Sequence, residues 1–227
     1  MTFDPAHAPT DSLAAVVDAA VADRRLLAHP FYRRWEAGEL SMSELSEYTV
    51  HYRAFEAVLP ELLAGVVGEL LEAGQTDAAA MVERNLQDEL GRPEPHLALF
   101  DRFAAVLPAT HATVPGPAAV ALVDTYRELA AESPIAALAG LAAYETQAAE
   151  VAETKADGLR NRYGVDDSGV RFWDVHAAMD ADHGAWAVEV LEALGAGAGV
   201  VADAAGRAAT AWWSFLDERE SEGMLAA

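Results

Sequence analysis

The stretch "SMSELSEYTVHYRAFEAVLPELLAGVVGELLEAG", Ser41 to Gly74, restricts the fold more than any other, because it runs without a turn signal far beyond the length of a strand. It opens on the capping pattern Ser41-x-x-Glu44 and stops at Gly74, which predicts one domain-spanning helix, bent at Pro60. The rest of the chain repeats this grammar. An Asp11 start leads into "LAAVVDAAVADRRLL", and "HPFYRRWEAG" carries Pro30 in its first turn and Gly38 as a stop. Further helices are predicted over 76–90, 95–106, 117–131, 134–162, 170–194 and 198–222. Strand alternation and hairpin dipeptides such as Asn-Gly are missing, so the fold class is all-α. No Pro/Ser/Gly-rich linker divides the 227 residues, and a single helical domain over 1–227 is expected, with 1–10 as a flexible tail. The "GAGAG" run at Gly195–Gly199 has no preceding strand and reads as a helix–helix loop, not a nucleotide site.

Charge and composition then remove whole classes of function. A formal net charge of −22 argues against nucleic acid and anionic membrane surfaces as partners. The chain has no cysteine, so disulfides, thiol nucleophiles and Cys-based metal sites are excluded, and a metal must be held by His and carboxylate. No signal-peptide pattern and no run of about 18 apolar residues is present, which makes the cytoplasm the expected location.

Against that background, "VHAAMDADHGAW" stands out. His176, Asp180 and His183 occur at i, i+4 and i+7, within about 60° of one another on a helix. Their neighbours Trp173, Met179, Trp186 and Val190 place that stripe on or beside the core-facing side. Other ligands can come from two places. In "LAGLAAYETQAAEVAETK", Glu145 follows an uncharged stretch, Ile135–Tyr144; it is either a buried ligand or the point where the helix emerges into solvent, since Glu150 and Glu153 follow. In "NLQDELGRPEPHLALF", Glu89 ends one helix and His96 opens the next; taken singly, His96 reads more readily as an N-terminal helix residue and Glu89 as a surface acid like Asp88. Three imidazoles and three carboxylates from three regions of a bundle suit a pair of irons or manganeses better than a closed tetrahedral zinc. Asp174 and Asp182 are placed to orient neighbouring groups.

These residues resemble the haem-oxygenase-like diiron oxidases and oxygenases, which share a seven-helix bundle with TenA and PqqC proteins. The resemblance rests on Glu, His seven residues later, a Glu on a later helix and then H-x-x-x-D-x-x-H, matched by Glu89, His96, Glu145, His176, Asp180 and His183. The opening "LLAHPFYRRWEAGELSMSELSEYTVHYRAF" is similar too, and the likeness runs from Leu26 to Phe215. It implies a seven-helix haem-oxygenase-like fold and a dimetal centre (Fe/Fe or Mn/Fe) that uses O2 and an external reductant. Haem held by His29 is the less fitting expectation given six candidate ligands, and the cysteine that TenA-type thiaminases need is missing.

Within that group the chain most resembles the para-aminobenzoate synthases of the death-domain-associating type, which turn a tyrosine of their own chain into para-aminobenzoate for folate synthesis. The resemblance implies roles for Tyr32 in "HPFYRRW" as the tyrosine consumed, for Tyr48 and Tyr144 as relays, and for Lys155 in "AETKADG" as nitrogen donor. Lys155 is the only lysine in the chain, and an amine can do chemistry that Arg cannot; the alternative is a solvated side chain pairing with Glu150 or Glu153. Tyr32 next to Phe31 and Trp35 is equally readable as packing. Tyr144 and Lys155 share a helix face but lie about 16 Å apart along its axis, so contact between them needs a bend or another partner. Two rivals stand: a dimetal oxidase acting on an external amine, amino acid or fatty acid, and a non-enzymatic partner-binding protein with vestigial ligands. A homo-oligomer is compatible with either.

Overall fold

The computed structural model describes residues 12–91, 94–110 and 112–226, without the side chains of 180, 181 and 224–226. Nine α-helices and two 3₁₀ turns account for most of the described residues, and none of these residues forms a strand. The helices are α1 (Leu13–Val21), α2 (Pro30–Ala37), α3 (Met42–Glu72), α4 (Thr76–Leu90), α5 (His96–Val106), α6 (Pro117–Glu132), α7 (Pro134–Asn161), α8 (Asp167–Ala193) and α9 (Ala198–Ala226). The expected bundle of seven is α3 to α9; α1 and α2 are short entry helices of nine and eight residues. Asp11 and the expected tail over 1–10 lie outside the described residues.

Local chemistry explains the boundaries. Ser41 and Glu44 form the full capping box, each side chain bonded to the other's backbone N–H. Ser133 caps α7 just ahead of Pro134, and Asp166 caps α8 by accepting from Gly169 N–H. His29 caps α2 through Nδ1, which accepts from Phe31 N–H, so the histidine considered for haem is already engaged. Gly38 ends α2 with φ +77°, the left-handed region that favours glycine. The first helix is shorter than expected: it stops at Val21, and the chain turns so that Leu26 N–H donates to Gln147 Oε1 on α7. Pro60 is carried inside α3, which continues unbroken to Glu72.

The centre of the bundle is α7, packed on α8 and α9 and touched by α1, α2, α3 and α6. Its run Ala136–Ala143 is buried on every side, which small side chains permit because they let neighbouring helices close in. Glycines serve the same end at two contacts: Gly158 lies against Trp35, and Gly184 on α8 lies against the α7 backbone at Glu145–Thr146. That second contact presses α8 onto α7 where both carry predicted ligands.

Candidate metal centre

Glu89, at the end of α4, and His96, at the start of α5, are joined by the turn at Gly91, and His96 Nδ1 sits 3.2 Å from Glu89 Oε2. From α8, His176 enters with Nδ1 2.9 Å from the Phe172 carbonyl. A carbonyl only accepts, so Nδ1 carries a proton, and in the neutral ring the lone pair on Nε2 faces the cavity. It points towards Glu56 on α3, whose Oε1 is 3.8 Å away. One donor atom each from Glu56, Glu89, His96 and His176 lies within 4.8 Å of the others, and all four residues are buried. Two carboxylates out of water with two imidazoles form a donor set that a divalent iron or manganese fits, since buried carboxylates otherwise pay a large desolvation cost. Burial would raise the Glu89 carboxyl's pKa, but the His96 hydrogen bond and the charges of His96, His176 and His183 hold it below the usual range.

The other predicted ligands surround the same space. A cavity of about 10 Å³ is lined by Glu56, Glu89, Glu145, His176 and His183 together with Tyr52 and Tyr144. Glu145 is buried, so the reading in which it emerges into solvent is overturned; its Oε1 accepts from Asn85 Nδ2 at 2.9 Å. His183 Nε2 is 3.2 Å from Asp88 Oδ2. Asp180 lies on α8, but its side chain is outside the description. The expected orienting roles of Asp174 and Asp182 do not appear: Asp174 takes both terminal nitrogens of Arg160, and Asp182 is exposed. Asn85 and Asp88 contact predicted ligands instead, and Asp88 is therefore more than a surface acid.

Glu56 is the residue that sequence reasoning missed. Its signal was present, because it is an acid inside the stripe Tyr52, Phe55, Leu59, Leu63 and Val66 that α3 turns into the core.

Beside the cavity lies a second polar assembly. Lys155 is only 1 % exposed, and its Nζ donates to Tyr48 Oη at 2.8 Å. Rings of Tyr32, Trp35, Tyr48, Tyr52 and Trp173 surround the nitrogen at 4.1–5.6 Å from their centroids, an aromatic cage whose ring faces favour the ammonium form once the amine takes up a proton. Pairing with Glu150 or Glu153 on a solvated face is thereby replaced by burial among phenols and indoles. Tyr32 Oη and Tyr48 Oη are 2.9 Å apart, and Tyr52 Oη and Tyr144 Oη are 2.6 Å apart. Burial pushes the pKa of the Tyr32, Tyr48 and Tyr52 phenols up, so all three stay protonated at neutral pH. Tyr144 and Lys155 are linked through other partners, as their separation along α7 requires: Tyr144 bonds Tyr52, Tyr52 stacks on Tyr48 with centroids 5.4 Å apart, and Tyr48 bonds Lys155.

Residues 46–213 match the model of a family described as iron-containing redox enzymes, of the haem-oxygenase type, and the chain belongs to that family. It is an oxidoreductase with a haem-oxygenase-like fold. Among its relatives, the 4-aminobenzoate synthase of Nitrosomonas europaea is 32% identical over 92% of this chain and 91% of its own. The 4-aminobenzoate synthase of Chlamydia pneumoniae is 28% identical over 79% of this chain and 81% of its own. In fold the chain is similar to a TenA homologue from Pseudomonas syringae pv. tomato (TM-score 0.79, 16% identity, 97% of this chain and all of that one). It is similar also to a CADD-like protein from Nostoc punctiforme (TM-score 0.71, 17% identity, 94% of this chain and 95% of that one). Among the described residues no helix is long and apolar enough to cross a membrane.

Proposed function

We propose that this chain is a 4-aminobenzoate synthase that consumes its own Tyr32 and takes nitrogen from Lys155, using two metal ions, O2 and an external reductant. The observation that carries this reading is the burial of the only lysine of the chain within hydrogen-bonding distance of Tyr48, which is itself bonded to Tyr32. A buried amine held against oxidisable phenols is placed as a nitrogen donor would be.

Glu56, Glu89, His96 and His176 would hold one metal, and Glu145, Asp180 and His183 would complete the second position. Iron, or iron with manganese, suits this donor set. When bound, the pair supplies the activation of dioxygen. The protein holds the phenols protonated and in contact, keeps Lys155 within reach of Tyr48, and excludes bulk water from both.

The test is a single-turnover incubation with Fe(II), reductant and O2, followed by mass spectrometry of both the small-molecule fraction and the digested chain. Release of 4-aminobenzoate with covalent loss at Tyr32 is expected, and Lys155→Arg should release none. A metal-loaded chain that consumes O2 with Tyr32 and Lys155 unchanged would overturn the reading.

A further inference from the structure

Four of the phenols form two hydrogen-bonded pairs, and Tyr52 brings the two together. Tyr144 lines the metal cavity and bonds Tyr52 at 2.6 Å; Tyr32 bonds Tyr48 at 2.9 Å in the lysine cage. Tyr52 belongs to both neighbourhoods. It lines the cavity, its ring stacks on Tyr48 at 25° with centroids 5.4 Å apart, and Lys155 Nζ stands 5.0 Å from its centroid. Tyr48 and Tyr52 are adjacent turns of α3, so one rigid helix sets their spacing.

We propose that Tyr52 is the redox relay that carries oxidising equivalents from the metal cavity to Tyr48 and Tyr32. The proposal rests on the synthase reading for its destination, but not for the relay itself. Dioxygen is the terminal oxidant. With a metal oxidant held at the donor cluster, Tyr144 would give up one electron and pass its phenol proton to a carboxylate lining the cavity. A hydrogen atom then crosses the 2.6 Å bond from Tyr52 to Tyr144, which restores the Tyr144 O–H bond and leaves the phenoxyl radical on Tyr52. Next, one electron passes from the Tyr48 ring to Tyr52 through the stacked faces, while the Tyr48 proton crosses the 2.8 Å contact to Lys155, which enters this step as the neutral amine. Tyr52 becomes phenolate beside the new Lys155 ammonium, so charge is conserved. A second hydrogen-atom exchange, across the 2.9 Å bond, moves the radical from Tyr48 to Tyr32.

The experiment compares the iron-loaded wild-type chain, Tyr52→Phe, and a chain carrying fluorotyrosine at position 52, each frozen after exposure to reductant and O2. Tyr52→Phe retains the ring and the stacking and removes only the hydroxyl. Iron content should equal wild type, the tyrosyl signal in electron paramagnetic resonance should be confined to Tyr144, and 4-aminobenzoate should be lost. In the fluorinated chain, the trapped signal should show fluorine hyperfine splitting, a signature that a structural role would not produce. Tyr52→Phe making product at the wild-type yield would overturn the relay. No product from the wild-type chain together with the fluorine-split signal from the fluorinated chain would refute the synthase reading and leave the relay standing; neither product nor that signal would refute both.

Discussion

Replacing Glu56 by Gln separates a metal ligand from a buried structural acid, because the two roles move stability in opposite directions. Without metal, the Glu56 and Glu89 donor oxygens lie within 4.8 Å, where like charges repel by about 3 kcal/mol at an effective dielectric of about 20. Glutamine keeps the shape and removes the repulsion, so the metal-free variant should melt at or above the wild-type temperature. With metal, an anionic ligand is lost. Removing residues that merely orient ligands costs roughly 10–100-fold in affinity, and direct ligation sets about 100-fold as the minimum. A 100-fold weaker Kd removes about 2.7 kcal/mol of metal-linked stabilisation at fixed metal concentration. For a chain of this length that corresponds to about 5–10 °C less of the rise in Tm on metal addition. The assay is an anaerobic thermal melt with and without Fe(II), paired with chelator competition for affinity. A variant that keeps the wild-type affinity and the full metal-linked rise in Tm would show that Glu56 is not a ligand.

Other substitutions test neighbouring parts of the argument. Lys155→Met, close in length and needing no polar partner, should fold with a Tm within a few degrees of wild type while releasing no 4-aminobenzoate, read by a melt and by mass spectrometry; retained product would exclude the nitrogen-donor role. Gly184→Ala adds a methyl 3.0–3.1 Å from the α7 backbone at Glu145 and Thr146, which cannot yield as a side chain would. Overpacking of about 1–3 kcal/mol should outweigh the gain in helix propensity of about 1 kcal/mol, lowering both Tm and iron content. His51 sets a pH dependence: burial and then the charge of Arg219 lower its pKa to about 4, and Nδ1 accepts from Gly116 N–H. The unfolded chain therefore takes up this proton near pH 6.5 and the folded chain only near pH 4, so the contribution is complete above about 6.5 and declines towards 4, by at most about 3 kcal/mol. Denaturant titrations between these pH values should show a shallower slope for His51→Gln than for wild type, and equal slopes would refute the assignment.

The helical architecture was legible because each boundary is chemically marked: the Ser41/Glu44 box, Ser133 before Pro134 and the stop at Gly38 all appear in the structure as the sequence announces them. Where the first helix ends was not legible, since Leu26 N–H is taken by Gln147 from the distant α7 and no local pattern encodes such a bond. At the site, the candidate ligands that follow a short spacing rule, Glu89 with His96 and the His176/His183 helix, were readable, and the structure places them around one cavity. Glu56 was harder to see, as a single acid in a long apolar stripe carries no spacing partner. Asp174 shows the converse failure: its place in the ligand helix suggested an orienting role, but Arg160 claims it.

The same limit explains why Tyr52 escaped notice although it stands four residues from both Tyr48 and Glu56. Helical spacing makes these three residues one face of α3, and that face is where the metal cavity meets the lysine cage. Tyr48 turns its hydroxyl to Lys155 and Tyr32, Glu56 turns its carboxylate to His176, and Tyr52 between them bonds Tyr144 from α7. An oxidising centre and the residue it oxidises need separation enough to protect the ligands and contact enough to pass electrons. One rigid helix supplies both, because a turn of about 5.4 Å is short enough for stacked rings to exchange an electron and too long for Tyr48 to enter the ligand set. On the relay reading the face 48–52–56 is the working face of α3, and the capping box at Ser41 and Glu44 fixes the start of that helix at Met42, six residues before Tyr48.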